Sequence, residues 1–242
     1  MEILITGANS GIGFEAAKQL LLQGHRVYVV CRDDAKTNET VRALSSFGRA
    51  VKAGGSSGLQ LDDLESVRKF ALNELVPQSL DVLICNAGVM GVPTLTLSAQ
   101  GIESHVAINY LGHFLLTRLL LPRLQLGSQL SSKPSRIINV SGLAYSWISP
   151  QTFNFDEAIT GGLEEDYSFP SHYAYSKLFQ IWDTYTINSD YGPNRGVIAV
   201  VLHPGVVRTN LMRDMDTDAV STFLPADAKT PAEVVTRQDG FG

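Results

Sequence analysis

The chain has 242 residues, 44% of them apolar and 18% charged, with 19 Lys and Arg against 24 Asp and Glu for a net charge of −5. That length suits one large domain, and the balance can bury an interior that a disordered, charge-rich chain cannot. The basic residues are scattered rather than clustered, which removes the electrostatic footprint of a nucleic-acid binder.

Cys31 and Cys85 are the only cysteines, and each ends an apolar run. Neither a disulfide framework nor a cysteine-rich zinc site is expected, and no metal site is predicted. The first residues, MEILITGANS, lack a basic leader, and the most apolar later stretch, Leu111 to Leu124, is broken by His113, Arg118, Pro122 and Arg123. These features predict no membrane span and a reducing, cytoplasmic setting.

In chain order, Ile3 to Thr6 is a short apolar run ending in glycine, Phe14 to Leu22 has helical spacing, and Val27 to Cys31 is a second strand. The chain thus opens on one strand–helix–strand unit. A helix is predicted over Ala35 to Phe47, and a third strand before Leu61, weakened or displaced by Gly54-Gly55-Ser56-Ser57-Gly58. Then follow helix Leu64 to Leu75, strand Leu80 to Cys85, a helix from about Ile102 to Leu121, strand Arg136 to Ser141, helix Tyr173 to Tyr191 and strand Val197 to Leu202. Six strands alternating with helices predict a single α/β domain over residues 1–242, a doubly wound parallel Rossmann sheet in the order 3-2-1-4-5-6. Residues 142–172 read as a long loop on the substrate side, and 212–242 as irregular.

TGANSGIG, Thr6 to Gly13, lies between the first strand and the first helix. Gly7 allows a tight turn, Gly11 lets backbone approach a pyrophosphate, and Gly13 allows close helix packing. Asn9, Ser10 and Ile12 complete a loop whose helix N-terminus offers N–H donors to an anion.

The spacing of these glycines resembles the TGxxxGxG loop of the short-chain dehydrogenase/reductase family. The family's NNAG has a counterpart in Cys85-Asn86-Ala87-Gly88, its NxxGxF in Asn109 to Phe114, and its YxxxK in Tyr173 and Lys177. Pro204, Gly205, Val207 and Thr209, within LHPGVVRT, resemble its proline-glycine turn beside the nicotinamide. NAGVM, NYLGHFLLT and LHPGVVRT are most similar to the retinol-dehydrogenase-like branch.

The resemblance implies hydride transfer between a nicotinamide and a carbonyl or alcohol, with Tyr173 as acid/base. Lys177 would favour the phenolate and hold the ribose, and Asn109 would hold a water leading from Lys177 to solvent. Cys31 falls where the family places an acid for a free ribose, and Arg32 follows it, so NADP(H) is favoured over NAD(H). Near the adenine, Gln60 falls at the family's aspartate position, with Asp62 and Asp63 as alternatives. The family's catalytic serine position is Gly142, preceded by Ser141; Ser146 is a more distant substitute. Trp147, Ile148, Phe153, Phe155, Tyr167 and Phe169, with Leu211 and Met212, are candidates for an apolar substrate pocket.

Lys229-Thr230-Pro231 looks like the start of the family's last helix, but its seventh strand has no convincing counterpart and is expected to be missing. The two long helices leave room for a homodimer. Two readings compete: an NADP(H)-dependent oxidoreductase of an apolar aldehyde, ketone or alcohol, slowed by Gly142, and an NADP(H)-binding protein with little or no turnover and a regulatory or interaction role.

Overall fold

Apolar, β-branched runs favour extended backbone, and they become the strands of one sheet. The computed structural model describes residues 1–235 except 152, 214, 216–219, 221 and 222. Strands β1 (Glu2–Thr6), β2 (Arg26–Val30), β3 (Ala50–Lys52), β4 (Val82–Cys85), β5 (Ser135–Val140) and β6 (Val197–Leu202) pair in parallel in the order 3-2-1-4-5-6. Helices α1 (Gly11–Leu22), α2 (Asp34–Leu44), α3 (Leu64–Lys69), α4 (Gly112–Ser131), α5 (Phe155–Thr160), α6 (Phe169–Tyr191) and α7 (Pro231–Val235) accompany the sheet.

Both faces of the sheet are covered, so β1, β2 and β4 are almost wholly buried. The two-residue alternation of a strand divides β1 between two cores. Leu4 joins Phe70, Leu83, Leu116, Leu120 and Ile137 on one side, and Ile3 and Ile5 join Ala17, Leu21, Val29 and Leu44 on the other. Strand order reverses between β1 and β4, and the loops leaving those two strands open the crevice in which such folds bind ligands.

The structure moves several predicted boundaries. α1 starts at Gly11 rather than Phe14, so Gly13 already lies inside the helix. β3 lies before Leu61 as expected, is only three residues long and is displaced to the N-terminal side of the glycine run. α3 ends in a π-turn, Phe70–Glu74, and the long helix before β5 opens through another, Val106–Leu111, then runs to Ser131 despite Pro122. Residues 142–172 are not one loop: they hold a 3-10 turn, Leu143–Trp147, then α5, a second turn, Glu164–Asp166, and the first turn of α6, which starts at Phe169 rather than Tyr173. Pro170 suits that first turn because its missing N–H is not needed there.

Beyond β6, Val207 forms an isolated parallel bridge with Lys229. Thr230 and Glu233 then form a reciprocal cap: the Thr230 N–H donates to Glu233 Oε2 at 2.7 Å, and the Glu233 N–H to Thr230 Oγ1 at 3.3 Å. The predicted helix start at Lys229-Thr230-Pro231 is thus α7. The described sheet has six strands, and the part of 212–242 from residue 236 on lies outside the described residues.

Candidate active site

The loop after β1 is built by its glycines. Gly7 has φ +68° and Gly11 φ +59°, conformations costly for other residues, and a Cβ on Gly7 would lie 2.8 Å from Ala87 Cα. A Cβ on Gly13 would collide with Asn86 Nδ2 and Gly7 O. The packing that excludes it ties this loop to the β4 loop. Asn86 Nδ2 donates to Thr6 O at 2.9 Å and to Gly7 O at 3.2 Å, while the N–H groups of Asn86 and Ala87 both donate to Thr6 Oγ1 at 3.1 Å. With both lone pairs engaged, Thr6 sends its own proton to His113 Nε2, 2.8 Å away, and His113 donates from Nδ1 to Asn109 O at 3.2 Å. Burial holds this imidazole neutral, with its pKa lowered to about 4.

Asn109 sits in the π-turn with no exposure. Its Oδ1 accepts from Val89 N–H at 2.8 Å, and its Nδ2 donates to Val89 O and to Ser176 Oγ, both at 3.0 Å. It therefore clamps the Asn86–Val89 loop against α6. Its main-chain carbonyl accepts from both His113 Nδ1 and Gln180 Nε2.

Tyr173 and Lys177 lie one turn apart on α6, with Nζ 5.3 Å from the phenol ring centroid. Burial raises the Tyr173 phenol above its ordinary value and pushes the Lys177 ammonium down to about 7. Burial of the ring by itself thus favours the protonated phenol. A Cβ on Gly142 would lie 3.8 Å from Tyr173 Oη and 3.9 Å from His203 Nδ1, ordinary contact distances. Ser141 instead donates to Lys177 O at 2.9 Å, and Ser146 donates to Leu143 O at 2.8 Å. Both hydroxyls are turned away from the phenol, because alternate strand residues face opposite ways and Ser146 closes its own 3-10 turn.

Tyr173, Lys177, Ser141, Gly142 and His203, but not Ser146, line a cleft of about 650 Å³ that also takes in Arg32, Lys36, the glycine loop, Trp147 and Phe223. Gly7, Asn9, Ser10, Gly11, Ile12 and Gly13 line it, as do Asn86, Ala87 and Gly88, and Pro204, Gly205, Val207 and Thr209 across from them. Thr209 Oγ1 accepts from Leu211 N–H at 3.2 Å, and a Cβ on Gly11 would lie 3.0 Å from Thr209 Cγ2, so the last turn closes against the first loop. With Arg32 and Lys36, Asp62 lines the cleft, whereas Gln60, the expected adenine contact, is exposed outside it and Asp63 caps α3 by accepting from Glu65 N–H at 3.0 Å. Lys36, a second cation there, was missed by the motif reading. It stands one turn into α2, where a solvent-facing lysine carries no distinguishing signal.

Of the apolar pocket candidates, Trp147, Leu211 and Met212 line the cleft. Trp147 lies 6.5 Å from the Tyr173 ring and 6.0 Å from Phe223, which also packs on Phe169. Phe153 and Phe155 instead pack on Phe179, and Tyr167 donates to Glu103 Oε1 at 2.9 Å. Ile148 packs between the Tyr173 and Tyr175 clusters.

The glycine cradle, the uncapped start of α1 and the length of the cleft fit a dinucleotide, and together with the tyrosine–lysine pair they define a doubly wound nucleotide-binding domain. A family model described as short chain dehydrogenase matches residues 2–151. This chain belongs to that family, in its retinol-dehydrogenase-like branch. It is 38% identical over 212 residues to retinol dehydrogenase 12 of Homo sapiens, covering 87% of this chain and 63% of that protein. It spans, then, less than two thirds of that relative's length. Among solved structures, an uncharacterized protein from Mycobacterium Paratuberculosis is 35% identical with a TM-score of 0.69, covering 88% of this chain and 71% of that one. A short-chain dehydrogenase from Sphingobium yanoikuyae, solved in complex with NADPH, shares the fold at 22% identity and a TM-score of 0.70, covering 97% of this chain and 80% of its own.

Proposed function

We propose that this chain is an NADP(H)-dependent oxidoreductase acting between the carbonyl and alcohol forms of an apolar small molecule, with Tyr173 as the acid/base. The observation that carries this reading is the shared cleft. Tyr173, Lys177, the glycine loop, Trp147 and Met212 all line it. The nicotinamide, when bound, supplies or receives the hydride at the substrate carbon.

Arg32 and Lys36 line the cleft and are the cations it offers a ribose 2′-phosphate, which a guanidinium can hold through two donors. Asp62 is the acceptor available to an adenine amine. Lys177 keeps one of its three protons for the ribose side, since Val140 O and Gln180 Oε1 take the other two. The phenol of Tyr173, kept protonated by burial, suits donation to a carbonyl oxygen. Trp147, Leu211, Met212 and Phe223 give the substrate end an apolar wall that excludes water. The name of the human relative supports an apolar alcohol or aldehyde as the substrate class.

The test is NADPH oxidation in the presence of a panel of apolar aldehydes and ketones. Turnover that vanishes in Tyr173→Phe is the expected result. Gly142, which leaves the reaction centre one donor short, favours the second reading, a nucleotide-binding protein with little turnover. NADPH binding without turnover of any carbonyl or alcohol would decide for it.

A further inference from the structure

Lys177 is the buried cation of the site, and the motif that points to it says nothing about what fixes its ammonium. Nζ donates to Val140 O at 3.0 Å and to Gln180 Oε1 at 3.3 Å. The other end of the same amide, Nε2, donates to Asn109 O at 3.0 Å. An ammonium only donates and a carbonyl only accepts, so the amide fits in one orientation alone. Gln180 is 3% exposed, and little water can compete for either end. Asn109 is itself fastened to Val89 and Ser176, so the far anchor is rigid.

We propose that Gln180 is a positioning residue for the tyrosine–lysine pair, its amide tying Lys177 Nζ to the main chain of the π-turn so that the ammonium keeps its charge and presents its remaining proton to the cleft. The roles given above to Tyr173 and Lys177 underlie this assignment. Around Nζ stand Tyr173 on the same helix, His113 from α4, and His203 from the turn after β6. Both imidazoles have lowered pKa values, by burial first and then by Lys177. Neither brings negative charge, and no carboxylate pairs with Lys177 among the described residues. Burial has already lowered the ammonium to about 7. Two carbonyl oxygens accept from the ammonium and so oppose that lowering, and one of them belongs to Gln180.

The consequence has a sign. Gln180→Met keeps volume but removes the oxygen, and is expected to lower the Lys177 titration midpoint by about one pH unit. Gln180→Glu replaces it with a carboxylate and is expected to raise the midpoint by at least about as much. The direct reading is NMR of protein carrying ¹³C at lysine Cε. The chain has seven lysines, and the Lys177 signal is assigned by its loss in Lys177→Arg. The pH profile of kcat/KM for NADPH-driven carbonyl reduction should shift with it, its high-pH limb moving down in Gln180→Met and up in Gln180→Glu. A merely structural Gln180 would lower amplitude or stability in both variants and leave the midpoints in place; equal midpoints in all three proteins would overturn the assignment. If Gln180→Met fails to fold, the nearly isosteric Gln180→Glu carries the same test against the native chain. Opposite shifts in the NMR titration with no carbonyl turned over would uphold Gln180 and remove the oxidoreductase reading. Turnover with unmoved midpoints would do the reverse.

Discussion

At Gly142 the backbone is extended, with φ −173°, and the space beside Tyr173 accepts a side chain without strain. One donor to a developing oxyanion is typically worth roughly a hundred- to a thousandfold in rate. Gly142→Ser is therefore expected to raise carbonyl turnover about tenfold or more, with NADPH affinity unchanged, because the new hydroxyl faces the substrate oxygen. Steady-state kinetics check this, and an unaltered rate would discard the donor argument. At the other end of the cleft, Arg32→Ala should weaken NADPH binding about tenfold, ~1.4 kcal/mol, while leaving NADH nearly untouched. Fluorescence titration of both cofactors measures it. Equal losses for the two would mean that Arg32 contacts something other than the 2′-phosphate.

Between these residues and the fold stand two irregular elements. The π-turn at Val106–Leu111 widens the helix and places Asn109 where it can clamp Val89, a position that regular helical geometry would rotate away. Just before it, Glu103 and His105 are fully buried. Glu103 Oε1 meets His105 Nδ1 at 2.7 Å and receives the Tyr167 hydroxyl, while Oε2 accepts from Val106 N–H at 3.0 Å. The cluster fastens the segment before α6 to the start of the long helix, and His105 packs edge-on against Tyr173. Glu103→Leu leaves several buried donors without acceptors and is expected to cost about 3–5 kcal/mol. Tyr167→Phe, which removes only one hydroxyl, should cost about 1 kcal/mol. Urea unfolding compares them, and a loss in Glu103→Leu no larger than in Tyr167→Phe would show that the carboxylate is not the hub.

At the scale of the whole molecule, the buried Lys177 makes stability depend on pH. Its folded pKa, about 7, lies below the unfolded value, 10.5. Below pH 7 both states hold the proton; between the two values only the unfolded chain does, so unfolding is opposed increasingly as pH rises through that window. The melting temperature is expected to climb from about pH 7 to about pH 9, with a flatter slope in Lys177→Met. Scanning calorimetry at several pH values reads both slopes, and parallel slopes would contradict the burial of a charged lysine. β6 forms an edge of the described sheet, with Val200 43% and Leu202 40% exposed. Such an edge invites pairing.

The alternating strand and helix pattern, the strand order and the glycine loop were legible along the chain because they depend on local periodicity and on backbone conformations that only glycine adopts readily. Tyr173, Lys177, Asn109 and Gly142 could be found because motif spacing survives folding as helix and strand register. What the tertiary structure alone decided are the partnerships across elements. Thr6 is joined to His113, Glu103 to Tyr167, and Lys177 through Gln180 to Asn109, over separations of 107, 64 and up to 71 residues. Lys36 and Asp62 face the cleft while Gln60 does not, and Phe153 and Phe155 pack on α6 away from the substrate end. Local sequence sets which way a chain can turn. Which side chains meet, and so how far burial moves the Tyr173 and Lys177 protons, is set by the packing of distant segments.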